Sequence, residues 1–236
     1  MGHAPIAIAA AAVAAVHVAP AATWLPAVRR AFPGLAGTGA ADHVALTFDD
    51  GPDPRSTPCF LDELRRLGCS ATFFVLGELL ERHPGLGRRL VAEGHEVAVH
   101  GWRHRYALTT RPGRTAAEIR ATAALVTEVT GARPSWYRPP YGVLSAEALA
   151  QAGRCGLRPV LWSAWGRDWT ADASPRSVLA TLEPDLRGGA TVLLHDSDHT
   201  AAPGAWRSAL GALPELVGRC RAAGLRVGAL RDHEVV

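Results

Sequence analysis

Apolar positions along this chain fall into two alternating kinds of run. Near 43–49, 71–76, 96–100, 135–138, 158–163, 190–195 and 225–230 they form short blocks rich in Val, Leu, Phe and Ala, which predict buried strands. Between most of these blocks, over 58–67, 115–129, 146–152, 175–185 and 214–223, the pattern becomes helical. Such alternation predicts an α/β fold with parallel strands. About seven strands, with polar residues gathered at their C-terminal ends, predict a distorted or incomplete (β/α) barrel preceded by an apolar N-terminal helix. No internal repeat is visible. With 236 residues, 48% of them apolar and 20% charged, the chain suits one well-buried domain over 41–236. Residues 1–40 are then an apolar segment plus linker.

That first segment is uncharged from Pro5 to Val28 and rich in Ala and Val. It has the length of a membrane helix, and Ala19-Pro20-Ala21 would suit a signal cleavage site. Arg29-Arg30 follows it, where the positive-inside rule would expect the cytoplasm. The expectation is export or membrane attachment at the cell envelope, with an alanine-rich helix packed on the domain as the alternative. All 25 cations are arginine, the formal charge is +3, and the arginines are scattered among acids. No coherent basic stripe is present, which argues against nucleic acid as a partner. Cys59 and Cys69 flank one predicted helix and lie on the order of 15 Å apart at 1.5 Å per residue, too far for a disulfide. Cys155 and Cys220 are open to pairing or to a role as small buried thiols.

The chemistry starts at Thr47-Phe48-Asp49-Asp50-Gly51-Pro52, where a strand ends in two carboxylates. Taken alone, this would be a solvated turn. Neighbouring strand residues point to opposite faces, so Asp49 and Asp50 converge only if Asp50 already lies in the turn. Buried side by side, they require a positive partner, and a divalent metal would serve. His100-Gly101-Trp102-Arg103-His104 supplies two imidazoles four residues apart, which can face one point. Asp50, His100 and His104 together form a two-histidine, one-carboxylate set with open positions, as in catalytic zinc sites. Trp136-Tyr137-Arg138-Pro139-Pro140-Tyr141-Gly142 places one arginine at a rigid corner, where it could clamp a carboxylate. Asp168 sits among tryptophans, and the apolar block 191–195 ends in His195. His195 is a candidate proton donor, tunable by an acid such as Asp168.

These five motifs, in this order, resemble the polysaccharide deacetylases, a carbohydrate esterase family that removes acetyl groups from sugars. The resemblance spans about 43 to 196, and 225–230 would complete the same domain. It implies Asp49 as catalytic base and Asp50, His100 and His104 as ligands of a divalent metal. Zinc is the first choice, with cobalt, nickel or manganese as alternatives. It further implies that Arg138 orients the base and that the Tyr141 backbone N–H serves an oxyanion hole. His195 becomes the general acid with Asp168 as partner, while Leu193 and Trp169 wall the acetyl methyl. Two positions depart from the family: Gly101 stands where Ser or Thr is usual, and Trp165 where an acid often precedes Asp168. The implied partner is an acetylated poly- or oligosaccharide, peptidoglycan or chitin-like, with acetylxylan as an ester alternative. Two other classes fit parts of the pattern: a non-haem Fe(II) oxygenase, through its facial triad, and a non-catalytic glycan-binding module. Oligomeric state is not legible in the sequence.

Overall fold

The computed structural model describes residues 3–236, so the first two residues of the 1–40 segment lie outside the described residues. Eight parallel strands form one sheet: β1 (His43–Asp49), β2 (Thr72–Leu76), β3 (Glu96–Gly101), β4 (Trp136–Tyr137), β5 (Arg158–Pro159), β6 (Ala164–Trp165), β7 (Thr191–His195) and β8 (Arg226–Gly228). Seven of them run in the order β5-β4-β3-β2-β1-β7-β6. On β1, Thr47 pairs with both Thr72 and Leu193, while Ala45 pairs with both Thr191 and Gly228. β2 and β8 therefore share one edge of β1, with β8 inserted at the foot.

β1 is buried at all seven positions, the expected state of a central parallel strand covered on both faces. Val44, Leu46 and Phe48 point outward into a core with Val192 and Leu194 of β7. Helices α3 (Thr57–Leu67), α8 (Pro175–Leu182) and α9 (Trp206–Ala222) complete that core through Phe60, Leu64, Val178, Leu213 and Leu216. His43, Ala45, Thr47 and Asp49 alternate with these and line the barrel interior. At the foot, His43 and His233 share a hydrogen bond between their Nδ1 atoms at 2.8 Å.

The two edge strands, β5 and β6, are consecutive in the chain and separated only by residues 160–163. Four residues reach at most about 14 Å, so the edges face one another and the sheet is a curled, incomplete barrel. The expected strand over 158–163 is accordingly two short bridges with a crossing segment between them. Its amides find partners around the gap: Val160 N–H donates to Tyr137 O (2.9 Å), Leu161 N–H to Leu35 O (2.7 Å) and Ser163 N–H to Thr191 O (3.1 Å). Its carbonyls turn inward to Arg138, whose Nη2 donates to Leu161 O at 2.7 Å and Nε to Val160 O at 3.4 Å. An interior cation thus replaces a strand neighbour.

Other differences from the sequence reading have similar causes. α9 begins at Trp206 rather than near Pro214, which lies inside it, because Ser208, Ala209, Ala212 and Leu213 are buried against the sheet. Helices α4 (Gly77–Arg82) and α5 (Pro84–Ala92) fill the stretch between β2 and β3, where no helix is expected from the pattern. α6 (Arg114–Thr130) and α7 (Ala146–Arg154) lie where helices are expected. All four cysteines are free thiols. At the N-terminus, α1 (His3–Val18) leads into a 3-10 turn (Ala19–Trp24) and the short helix α2 (Pro26–Arg29). Residues 34–40, expected as linker, are bonded into the barrel: Thr191 Oγ1 donates to Gly37 O at 2.6 Å and Gly39 N–H to Gly189 O at 3.1 Å.

Arg138→Met should be strongly destabilising. It leaves Asp49 buried without its cation and two carbonyls of the crossing segment without donors, a loss of about 3–5 kcal/mol. The measurement is the urea midpoint at unchanged m-value.

Candidate active site

β1 ends at Asp49, and the next residue turns sharply: Asp50 has a left-handed φ of 73°. This is the condition the sequence sets for both acids to reach one site. Gly51 lies so close to the Asp196 carboxylate that a Cβ there would strike it, which restricts the position to glycine. Asp49 Oδ1 accepts from Arg138 Nη1 at 2.7 Å, and the same nitrogen donates to Thr47 Oγ1 at 2.8 Å. Arg138 is fully buried with its guanidinium 4.0 Å from the centre of the Phe74 ring. Asp50 Oδ2 accepts the hydroxyl of Thr200. Asp50 Oδ1 lies 3.3 Å from His100 Nε2 and 3.5 Å from His104 Nε2, and among the described residues it has no hydrogen-bond partner.

The imidazoles are arranged to complement that orphan oxygen. His100 sits on β3 with Nδ1 2.8 Å from the carbonyl of Arg138. Donation there puts the proton on Nδ1 and leaves Nε2 as a bare lone pair facing Asp50. Burial holds the His104 imidazole down to about 4, so its ring is neutral. Burial also opposes charge on His100, but Asp49 and Asp50 outweigh it and raise its pKa. Burial pushes Asp50 up, yet His100, His104 and His195 hold it well below the usual carboxylate range. Two imidazole nitrogens and one unpartnered carboxylate oxygen, all within 4.8 Å of one another, fit a divalent cation of borderline softness.

The loop joining the two histidines departs from the family at Gly101, and the backbone shows why a glycine suits it: φ is +114°. The bracing comes from elsewhere. Glu118 on α6 accepts from Arg103 N–H at 3.4 Å, Arg105 Nε at 3.1 Å and Arg114 Nε at 2.9 Å. Glu78 N–H donates to Trp102 O at 3.0 Å, and the Trp102 ring packs on Gly77, where a Cβ would collide with it. The Tyr141 ring meets the His104 ring edge-on at 4.3 Å. The sequence resemblance assigns Tyr141 a backbone role. Its left-handed φ of 59° sets its amide in a tight turn, and the side chain additionally packs on His104.

Opposite this cluster, His195 is the register neighbour of Asp49 on the adjacent strand, so both side chains enter the barrel mouth. Asp168 grips His195 twice, accepting its backbone N–H at 2.7 Å and lying 2.9 Å from Nδ1. Burial opposes a charge on His195, but Asp168 outweighs it, helped by Asp50 and Asp49, and raises the pKa to about 10. A cation beside Asp50 would offset the Asp50 and Asp49 contributions, leaving Asp168 as the group that keeps the ring protonated. Leu193 and Trp169 line the adjoining wall. Trp165, the other departure, stacks on Trp169 at 4.7 Å and 21°.

All ten expected site residues are therefore placed in or directly beneath one mouth, whose cavity measures about 620 Å³. Sequence reasoning missed Thr200, Glu118, Tyr106, Trp162 and the segment 21–25. Thr200 carried one usable signal: it closes the polar run Asp196-Ser197-Asp198-His199-Thr200 directly after the His195 motif.

Comparison with known proteins gives consistent matches. The family model described as polysaccharide deacetylase matches residues 36–160. A chitooligosaccharide deacetylase from Bradyrhizobium sp. (strain ANU 289) is 42% identical over 171 residues, covering 72% of this chain and 76% of that one. The peptidoglycan-N-acetylglucosamine deacetylase PgdA of Listeria monocytogenes (strain 10403S) is 38% identical over 68% of this chain, which corresponds to 34% of PgdA. Among solved structures, the Bc1960 peptidoglycan N-acetylglucosamine deacetylase superposes with a TM-score of 0.80 at 28% identity, over 89% of this chain and 97% of that one.

Thr200→Val should lower affinity for zinc or cobalt by about 10–100-fold, the usual cost of losing a partner behind a ligand. It removes the hydroxyl that fixes which Asp50 oxygen faces the histidines. Thr200→Ser should restore the affinity. Competition against a chromophoric chelator measures both variants without any turnover.

Proposed function

This chain belongs to the polysaccharide deacetylase family, and on that premise we propose that it is a metal-dependent hydrolase that releases acetate from N-acetylated sugars of a peptidoglycan- or chitin-like saccharide. The observation that carries this reading is the pairing of each acid with its own partner in one mouth: Asp49 with Arg138, Asp50 with two histidines, and Asp168 with His195. Hydrolysis of an amide needs a base, an electrophilic centre and an acid on opposite sides of one carbonyl, and these three pairs supply them.

Asp50, His100 and His104 would hold a divalent cation, zinc by preference for this ligand set, and such an ion would supply Lewis-acid polarisation of an acetyl carbonyl and a more acidic water. Asp49, held by Arg138, accepts the proton of the attacking water. As the water oxygen bonds to the acetyl carbon, negative charge develops on the carbonyl oxygen, and the Tyr141 N–H donates to it. Such a donor contributes about 3–4 kcal/mol in comparable sites. His195 then protonates the sugar nitrogen, the C–N bond breaks, and acetate remains. Leu193 and Trp169 provide the apolar wall for the methyl group, which selects acetyl over bulkier or charged acyl groups.

An oxygenase with the same facial triad would have no use for the Asp49–Arg138 and His195–Asp168 pairs. A glycan-binding module without turnover would not require either pair to be intact. Acetate release across chitin oligomers, peptidoglycan and acetylxylan tests the assignment; release from acetylxylan alone would make it an O-acetyl esterase. The setting that accompanies this reading is the cell envelope. Ile8, Val13 and Val16 of α1 are exposed, and exposed apolar side chains gathered on one helix support attachment to a lipid surface. No helix among the described residues is long and apolar enough to cross a membrane. Fractionation of expressing cells checks the location.

The two adjacent aspartates should separate cleanly. Asp49→Asn should retain stoichiometric metal and lose about 10²–10⁴-fold in kcat, since an amide occupies the space but cannot accept the proton. Asp50→Asn should instead weaken metal binding, with activity partly recovered at high metal concentration. Metal content beside steady-state rates distinguishes these, and metal loss in Asp49→Asn with retention in Asp50→Asn would reverse the roles.

His195 acts protonated, so activity falls as pH rises through its pKa. Asp168 raises that pKa, so Asp168→Asn should move the alkaline limb of the kcat profile to lower pH, towards the ordinary imidazole value of about 6.5. A profile unmoved by the substitution would assign the limb to another group.

A further inference from the structure

An incomplete barrel leaves one side open, and here that side lies between β5 and β6. The chain segment before the family match occupies it. Leu35 O accepts the Leu161 N–H in the crossing segment, and the Arg29 guanidinium lies 5.3 Å from the centre of the Trp162 ring. From this anchorage the preceding residues reach the rim of the mouth. The 3-10 turn Ala19–Trp24 is fixed by the buried Thr23, whose hydroxyl donates to Pro20 O at 2.7 Å, and Leu25 N–H donates to Ala22 O at 3.0 Å. Ala21, Ala22, Trp24 and Leu25 line the same cavity as Asp49 and His195. The family match begins at residue 36, so this wall lies outside it.

The wall changes what kind of saccharide the site can take. An interior unit of a long polymer needs a groove open at both ends, with the chain entering on one side and leaving on the other. A cavity of about 620 Å³, bounded on the barrel's open side by residues 21–25, has the size of pockets that enclose one drug-sized ligand. Trp24 is half exposed at its rim, a flat apolar face of the kind that packs against a sugar ring. Trp165 and Trp169 present stacked rings in the same cavity.

Resting on the deacetylase reading, we propose that residues 21–25 close the site into a blind pocket that selects short acetylated oligosaccharides and chain ends over interior units of long polymers. Trp24 contacts the sugar ring next to the unit being deacetylated and is the specificity-determining residue of the wall.

The test uses the full chain with an N-acetylglucosamine trimer, a pentamer and a long soluble N-acetylglucosamine polymer, with acetate as readout. The wild type should show the higher kcat/KM per acetyl group on the trimer. Mass spectrometry of pentamer that has lost one acetyl group should place the loss at a terminal unit. Trp24→Ala should raise KM for the trimer about 2–10-fold, the value of one aromatic contact, and lower the trimer-to-polymer ratio of kcat/KM. Trp24→Phe should restore both. Loss of acetyl groups from interior units, or an unchanged ratio in Trp24→Ala at unchanged melting temperature, would overturn the wall while leaving the deacetylase reading in place. Absence of acetate from every substrate would overturn both.

Discussion

The site depends on one buried cation. Arg138 has no contact with solvent, and its guanidinium is committed to Asp49, Thr47 Oγ1 and the carbonyls of Val160 and Leu161. Its backbone carbonyl holds His100 Nδ1. One residue therefore positions the acid of β1, sets the tautomer of a histidine on β3, and ties the crossing segment into the barrel. A lysine could not do this, since a point charge lacks the planar fork that serves several acceptors at fixed angles. Removing any buried cation so enclosed leaves an unpaired carboxylate and free carbonyls in low dielectric, where both are costly.

Around that centre, charge is divided so that three acids and three histidines coexist under cover. Asp49 has an arginine, Asp168 has His195, and Asp50 has two neutral-capable imidazoles plus a hydroxyl. Asp50 Oδ1 is buried without a hydrogen-bond partner among the described residues, and it faces the Nε2 atoms of His100 and His104. Register makes this division possible. Asp49 and His195 sit side by side on β1 and β7, while the left-handed turn at Asp50 swings the second acid towards β3.

The surrounding protein replaces what the departures from the family remove. With glycine at 101 there is no hydroxyl to brace the histidine loop, and Glu118 braces it from α6 instead. The gap left by an incomplete barrel is filled by residues 34–40 and the crossing segment. In this chain the same filling continues upward into a wall of the pocket. Closure of the fold and shaping of the substrate space are thus parts of one packing problem.

What the sequence determined by itself was whatever depends on residue type and local spacing. The central strand 43–49 was legible because a parallel strand buried on both faces is apolar almost throughout. Asp49, Asp50, His100, His104, Arg138, Asp168 and His195 were legible because five motifs carrying them occur in one order along the chain, although each motif alone has a bland structural use. The tertiary structure decided everything that depends on what packs against a residue. It split the strand expected over 158–163, because the arginine that follows β4 takes its carbonyls. It carried α9 back through Pro214, because burial on the sheet outweighs the lost hydrogen bond. It made Thr200, Glu118 and residues 21–25 part of the site. Beyond the polar run that Thr200 closes, a hydroxyl, a glutamate and the short segment 21–25 have no assigned role until the fold brings a carboxylate, a loop or a cavity beside them.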